Sequence, residues 1–238
     1  MPIRTQRPFS VLAAAAAGLT AGPLFAQESQ VRDLAGFDAI EVGGNIELAI
    51  RQGESFRVEV SGSEDALERL VTTVEQGTLI VRRGPESLRW FDIDFFDTVN
   101  VSVTLPQLTQ LQAVGGADVH SEGRLTGERL RIESSGGADI EFEVEVSELE
   151  VRTSGGSDST VSGRADRIVV QSSGGSDFSG RRLTVSEADI RSSGGSDVVV
   201  DVSERLVARA SGGSDIDYHG KPAYVDVDAS GGADVSER

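Results

Sequence analysis

Apolar and polar residues alternate with a period of two along most of the chain, which is typical of β-strands that bury one face. Between residues 36 and 105 the alternation predicts six strands separated by turns, several of them containing glycine. The predicted strands cover residues 37–42, 46–50, 56–60, 71–75, 79–83 and 98–105. One short helix is predicted from Ser63 to Leu70, because Ser63 is a suitable N-cap and two acidic residues follow it in the first turn.

A four-residue motif, Gly-Gly-(Ala/Ser)-Asp, occurs seven times in the second half of the chain. The aspartates that close the motif are Asp118, Asp139, Asp158, Asp177, Asp197, Asp215 and Asp234. They are 21, 19, 19, 20, 18 and 19 residues apart. A nearly constant period of this length is typical of a solenoid, and we expect each motif to form a tight corner between two strands of one coil.

The residues before each motif predict the inside of the coils. In six of the seven repeats the positions six and four residues before the first glycine are aliphatic, and in all seven the position two residues before it is small. These alternate positions share one face of a strand, so stacked coils would join them into an inner apolar column. The aliphatic pairs are Leu130/Ile132, Leu149/Val151, Ile168/Val170, Ala188/Ile190, Leu206/Ala208 and Val225/Val227.

Charged residues on the outer face also predict that successive coils stack in register. Arg131 and Glu150 are 19 residues apart, and so are Glu133 and Arg152. Coils stacked on this period would place opposite charges on neighbouring strands about 4.8 Å apart.

The first 26 residues have the features of a secretory signal peptide. Arg4 and Arg7 precede an apolar run, and Leu-Phe-Ala at 24–26 before Gln27 is a suitable cleavage site. The run is too short, and too interrupted by glycine and proline, to span a bilayer. We therefore predict an exported protein, in the periplasm, on the outer cell surface or secreted, with residues 27–238 as one domain.

The charge and the cysteine content exclude several classes of protein. Without the leader, which holds two arginines and no acid, the chain has 20 basic and 39 acidic residues and a net charge of −19. Such a surface repels nucleic acid and anionic lipid, and favours solubility or cation binding. The sequence contains no cysteine, which excludes a disulfide framework, a thiolate metal site and a lipid anchor on an N-terminal cysteine.

An aromatic insertion at residues 84–97 interrupts the strand pattern. Trp90, Phe91, Phe95 and Phe96 are four of the ten aromatic residues outside the leader, and they alternate with aspartates. One role for them is a lid over an open end of the solenoid. The other is a contact patch for a carbohydrate or protein partner, with Trp90 as its anchor. We favour the lid, and these four residues are also the candidate partner contacts.

The row of motif aspartates also allows two roles. Each carboxylate could accept backbone N–H bonds within its own corner, or calcium could lie between successive carboxylates. We favour the corner role, because calcium takes about six to eight oxygens and the motif offers one acid per coil. The nine-residue Gly-Gly-x-Gly-x-Asp repeat of calcium-binding rolls does not match this period.

No residue pattern indicates catalysis. The motif serines lack a Gly-x-Ser-x-Gly setting, and His120 and His219 lie in different predicted coils without a partner motif. The regular coil length leaves no long loops for the cleft of a polysaccharide lyase, and Lys221 is the only lysine. We predict a protein that is not an enzyme and has no catalytic, metal or cofactor-binding residue.

Four segments and the motifs together resemble the DUF2807 family, known as the head GIN domain or "putative autotransporter adhesin". The segments are Gly-Phe-Asp-Ala-Ile at 36–40, Gly-Asn-Ile at 44–46, Gly-Thr-Leu-Ile-Val at 77–81 and Pro-Gln-Leu at 106–108. The resemblance extends to Asp234, and it implies a right-handed parallel β-helix in or outside the bacterial envelope, without established enzymatic activity. The sequence ends four residues after Asp234, so we expect no translocator segment.

The sequence thus predicts an all-β, single-stranded right-handed parallel β-helix with coils of about 19 residues. Residues 36–105 would hold the N-terminal strands, the helix and the aromatic insertion, and residues 106–238 the regular repeats. We expect a non-catalytic binding, adhesin-like or structural protein whose partner is a polysaccharide or an envelope protein. End-to-end self-association through the last coil and a calcium-dependent carbohydrate-active protein, lyase-like or carbohydrate-binding, are the alternatives.

Overall fold

The computed structural model describes residues 28–84 and 98–238, and its strands form one continuous sheet wound into coils. The molecule is a β-solenoid of about seven turns with coils of about 19 residues, which confirms the predicted fold class. The described N-terminal elements are β1 Glu28–Arg32, β2 Ala39–Gly43, β3 Ile46–Gln52, β4 Arg57–Gly62, α1 Glu64–Glu68, β5 Leu70–Glu75, β6 Thr78–Arg83 and β7 Val99–Leu105. The repeats contain β8 Gln110–Val114, β9 Asp118–Ser135, β10 Asp139–Ser154, β11 Asp158–Ser173, β12 Asp177–Ser193, β13 Asp197–Ser211, β14 Asp215–His219, β15 Tyr224–Ser230 and β16 Asp234–Glu237.

The single helix of the described chain begins where the sequence predicts it. The Ser63 Oγ accepts a hydrogen bond from the Ala66 backbone N–H at 3.3 Å, which caps the first turn. The helix is shorter than predicted, because Leu70 already belongs to β5.

The repeat strands are parallel and in register, with each motif stacked on the next. Asp139 pairs with Asp118 on one side and with Asp158 on the other. From β9 to β13 each strand continues from one corner to the next instead of dividing into the two predicted strands, and register shifts occur at the bends.

The predicted inner column is buried in every coil except the last. Its aliphatic members from Leu130 to Ala208 are at most 4% exposed. In the last coil the prediction is wrong: Val225 and Val227 are 43% and 41% exposed. They stack in register on Leu206 and Ala208, but among the described strands only β13 pairs with β15, so their other side stays open.

The two predicted ion pairs between neighbouring strands are confirmed, and further contacts join them to each other. Arg131 lies 3.8 Å from Glu150, and Arg152 lies 3.3 Å from Glu133, as expected across neighbouring strands. Arg131 also pairs with Glu133, and Arg152 pairs with Glu150 at 2.7 Å. The four side chains therefore form one network over β9 and β10.

The first coils do not stack in the order of the sequence. Strand β2 lies between β6 and β8, and β3 lies between β7 and β9. The coil of residues 39–52 is thus enclosed by two coils that come later in the chain. Its Gly43-Gly44-Asn45 turn is the first corner of the stack, because Glu47 pairs with Asp118 and the Gly44 N–H donates to the Val114 carbonyl.

Antiparallel strands protect the N-terminal edge of this stack. Strand β4 pairs antiparallel with β7, β1 pairs with β4, and β5 pairs with β6. Strand β1 was not predicted, because its five residues carry only a weak alternation. Antiparallel strands laid on an open edge limit pairing with other molecules.

Candidate functional site

The predicted contact residues Trp90, Phe91, Phe95 and Phe96 lie outside the described residues. The strands that flank the insertion are described: β6 pairs with β2, and β7 pairs with β3.

The motif serines, and not the aspartates, close the corners. Ser157 is fully buried; its Oγ donates to the Ser154 carbonyl at 2.9 Å and accepts the Ser154 N–H at 3.2 Å. Ser176 makes the same two bonds with Ser173, at 2.9 and 3.3 Å. This role of the serine was not predicted, although the alternation of inward positions continues through the corner and places the serine inside.

The closing serines also join a buried column of hydroxyl groups. Thr153 donates to Ser172 at 2.8 Å, and Ser176 donates to Thr153 at 3.2 Å. Ser192 and Ser196 are 2.7 Å apart in the next coil. In the next coil on either side alanine replaces one of the two hydroxyls, at Ala138 beside Ser134 and at Ala210 beside Ser214. In the outermost coils alanine replaces both, at Ala113 and Ala117 and at Ala229 and Ala233. Each of these buried serine and threonine hydroxyls has a partner, which fits a structural role.

The motif aspartates form an exposed row along the solenoid, continued by Glu47. The Asp177 Oδ1 accepts the backbone N–H of Asp197 at 3.2 Å, so this bond runs to the next coil. The expected bond was one from the aspartate to a backbone N–H of its own corner. Within that corner the buried Ser176 already makes the hydrogen bonds to the backbone. In the described chain, no three acidic, histidine or cysteine side chains are placed to hold a metal ion.

Three aspartates of the row have a raised pKa. Partial burial is the main cause of the raised pKa at Asp118, Asp158 and Asp197, and repulsion by neighbouring motif aspartates adds to it. The row therefore costs stability whenever these groups are ionised.

Asp158→Asn is expected to stabilise the protein at pH 7 and not in acid. A carboxyl whose folded-state pKa lies above its ordinary value of 3.8 stabilises the fold fully below that pH, and this contribution is lost as the pH rises through the folded-state pKa. Removing the charge is expected to raise Tm by about 1 to 2 °C at pH 7, with no gain below pH 3.8. Glu204→Gln, an exposed change of equal charge outside the row, is the control in thermal melts. An equal gain in both variants would show a net-charge effect and contradict repulsion within the row.

A polar groove lies on the outer face just before the corners. It is formed by two adjoining cavities of about 530 and 300 Å³ that share Arg191 and Ser193. We call it the corner groove. Two rows of outward side chains line it, and each row runs from coil to coil along the solenoid. The first row is Gln112, Glu133, Arg152, Gln171, Arg191, Arg209 and Asp228; the second is Ser135, Ser154, Ser173, Ser193, Ser211 and Ser230. The groove was not predicted, although its first row is the position three residues before each motif and its second row the position one residue before each motif from Gly136 onward.

Together these features define a β-solenoid that presents repeated side chains along its outer faces. The chain belongs to the DUF2807 family, described as "Putative auto-transporter adhesin, head GIN domain", whose family model matches residues 36–222. This confirms the resemblance seen in the sequence.

Solved structures share the fold at low sequence identity. A crystal structure described as a putative adhesin from Bacteroides fragilis has a TM-score of 0.83 and 20% identity, covering 89% of this chain and 97% of its own. A putative adhesin from Parabacteroides merdae has a TM-score of 0.71 and 19% identity, with coverages of 89% and 96%. A putative lipid binding protein from Parabacteroides distasonis has a TM-score of 0.70 and 16% identity, also with 89% and 96%.

A search of curated proteins found no match. The single helix of the described chain lacks the length and apolar character needed to cross a membrane.

Proposed function

We propose that this chain is an exported, non-catalytic binding protein of the bacterial envelope, similar in role to an adhesin. Membership of a family described as adhesin-like supports this function, and so does the signal-peptide pattern of residues 1–26. Its partner is a polysaccharide or an envelope protein that contacts several coils at once.

The corner groove is the observation that carries the proposal. It passes from coil to coil with its side chains in constant register: Ser154 pairs with Ser135 and Ser173, and Arg152 pairs with Glu133 and Gln171. The serine row offers the same hydroxyl at six successive coils, and repeated weak contacts with one long partner add up to strong binding.

The test is co-sedimentation of the purified mature protein with envelope fractions, namely cell-wall polysaccharide and outer-membrane vesicles. We expect saturable binding to one fraction and no shortening of the bound polymer on prolonged incubation. Absence of saturable binding to every fraction would overturn the binding function, and release of shortened products would overturn the non-catalytic function.

The aromatic insertion is a second contact proposal with its own measurement. Trp90 is the only tryptophan, so intrinsic fluorescence reports on it alone. If Trp90 anchors a partner, acrylamide quenches its emission in the free protein and quenches it less in the bound protein. Strong protection before any partner is added would instead support the lid.

Self-association through the last coil belongs to the same proposal. Tyr224, Val225 and Val227 of β15 are exposed, and the strand has an open edge among the described residues. Sedimentation velocity over a range of concentrations tests this, and we expect V227K to reduce any association seen. A monomer at all concentrations contradicts it.

A further inference from the structure

We infer that the corner groove binds an uncharged polysaccharide chain lying along the solenoid axis. This inference rests on the proposed function and names the ligand class of one surface.

The shape of the groove suits a linear polymer. From Gln112 to Asp228 it crosses seven stacked strands, which at a strand spacing of about 4.8 Å gives a length of about 29 Å. Each coil adds one side chain to the first row, and each of the six coils after that of Gln112 also adds a serine to the second row. A ligand that repeats along its own length can therefore meet a similar set of groups at each step.

The groups in the groove suit hydroxyl ligands. The Gln112 and Gln171 side chains make no hydrogen bond to the described protein, and the same holds for the hydroxyls of Ser135, Ser154, Ser173, Ser193 and Ser211. Amides and hydroxyls both donate and accept, which matches sugar hydroxyls that do the same. The hydroxyls on the inner side of the same strands, by contrast, are already paired.

The charge of the groove favours a neutral ligand. Its arginines already have acidic partners: Arg152 lies 2.7 Å from Glu150, Arg191 lies 3.4 Å from Asp189, and Arg209 lies 2.7 Å from Asp226. Little positive charge remains for a polyanion, and the net charge of −19 of the chain without its leader repels one from a distance. Of the two acids in the groove, Glu133 is paired with Arg131 and Arg152, which leaves Asp228 in the last coil and no continuous acidic row for a polycation.

The groove is a poor site for a peptide or an acyl chain. Strands β9 to β13 pair on both sides, so along these coils no open backbone edge is available for an added strand, and the described groove has an open edge only at β15 in its last coil. Within the described chain, the lining has no aromatic and no large aliphatic side chain to form a protein hot spot or a lipid pocket.

Binding of size-graded oligosaccharides tests the inference. The probes are cello-, laminari- and mannan-oligosaccharides of two to eight sugars, with polygalacturonate and a heptapeptide of mixed sequence as comparisons, measured by calorimetry. We expect affinity to rise with length for at least one neutral series, because a longer chain contacts more coils.

Two arginines of β12 provide a matched pair of variants. Arg191 lies in the groove 3.4 Å from Asp189, while Arg182 lies outside it 3.7 Å from Glu141, and both are largely exposed. R191A is expected to weaken binding about tenfold, as Q171A is, whereas R182A changes it less than about twofold. Near-native circular dichroism in all three variants shows that folding is intact.

The outcomes separate this inference from the proposed function. Preference for polygalacturonate or the peptide, or equal binding by R191A and R182A, would overturn the neutral-glycan groove. So would the failure of every neutral series to bind. If envelope fractions still bind the protein in any of these cases, the binding function stands and the groove is not its site.

Discussion

Gly163→Ala is expected to lower the free energy of unfolding by about 4 kcal/mol, near the upper end for a single substitution. Gly163 has a φ of 107°, which alanine adopts only with strain. A Cβ there would lie 2.1 Å from the carbonyl oxygen of Val144 on the neighbouring strand. The clash is with backbone, so β10 and β11 must separate and lose hydrogen bonds that join two coils.

Gly156→Ala is the control for the strain alone. Gly156 also has a positive φ, 75°, but a Cβ at that corner meets nothing within 4 Å. Its cost is expected to be about 1 to 2 kcal/mol, the penalty of the left-handed conformation. Guanidinium unfolding followed by circular dichroism compares the two variants. Equal losses of unfolding free energy in the two variants would show that the close approach of the Val144 carbonyl adds nothing to the cost of a side chain at residue 163.

Ser172→Val is expected to cost about 2 to 3 kcal/mol, because it leaves buried polar groups without partners. The Ser172 Oγ donates to the Ser176 carbonyl at 2.9 Å and accepts from Thr153 at 2.8 Å. Valine is close in volume to threonine but removes both bonds. The inner hydroxyl column is thus predicted to stabilise the coil stack through pairing and not through packing.

Ser172→Thr provides the matched control. The preceding coil holds Thr153 at the same position, and Thr153 is buried, so the column accepts a β-branched side chain with a hydroxyl. We expect the threonine variant to unfold within about 0.5 kcal/mol of the parent protein. A valine variant as stable as the threonine variant would contradict a stabilising role for the hydroxyls.

The structure of the repeats could be predicted because each coil pairs with the coils next to it in the sequence. A fixed period sets the register, and alternation sets which side chains face inward. Leu149, Val151 and the ion pairs around Arg152 are where those two rules place them. The same alternation would also have placed the motif serine inside and its aspartate outside, had it been followed through the glycines.

The N-terminal strand order could not be predicted in this way. Nothing near Ile40 indicates that its neighbours are Leu79 and Leu111, since such pairing depends on contacts between distant parts of the chain. Exposure of Val225 was missed for a related reason. The pattern assigns an inward position, but burial also requires a strand on each side.

The enclosed position of the 39–52 coil has a consequence for biogenesis. This segment emerges from a ribosome or translocon before all four of the strands that flank it, β6, β7, β8 and β9. Strand β3 pairs with β9 as far as Ser121, so the hydrogen bonding of this coil cannot be completed until about seventy residues after Gln52 have followed. Growth of the stack on this segment can therefore begin only after later strands have paired with β2 and β3, and until then the edges of these two strands need shielding from other molecules.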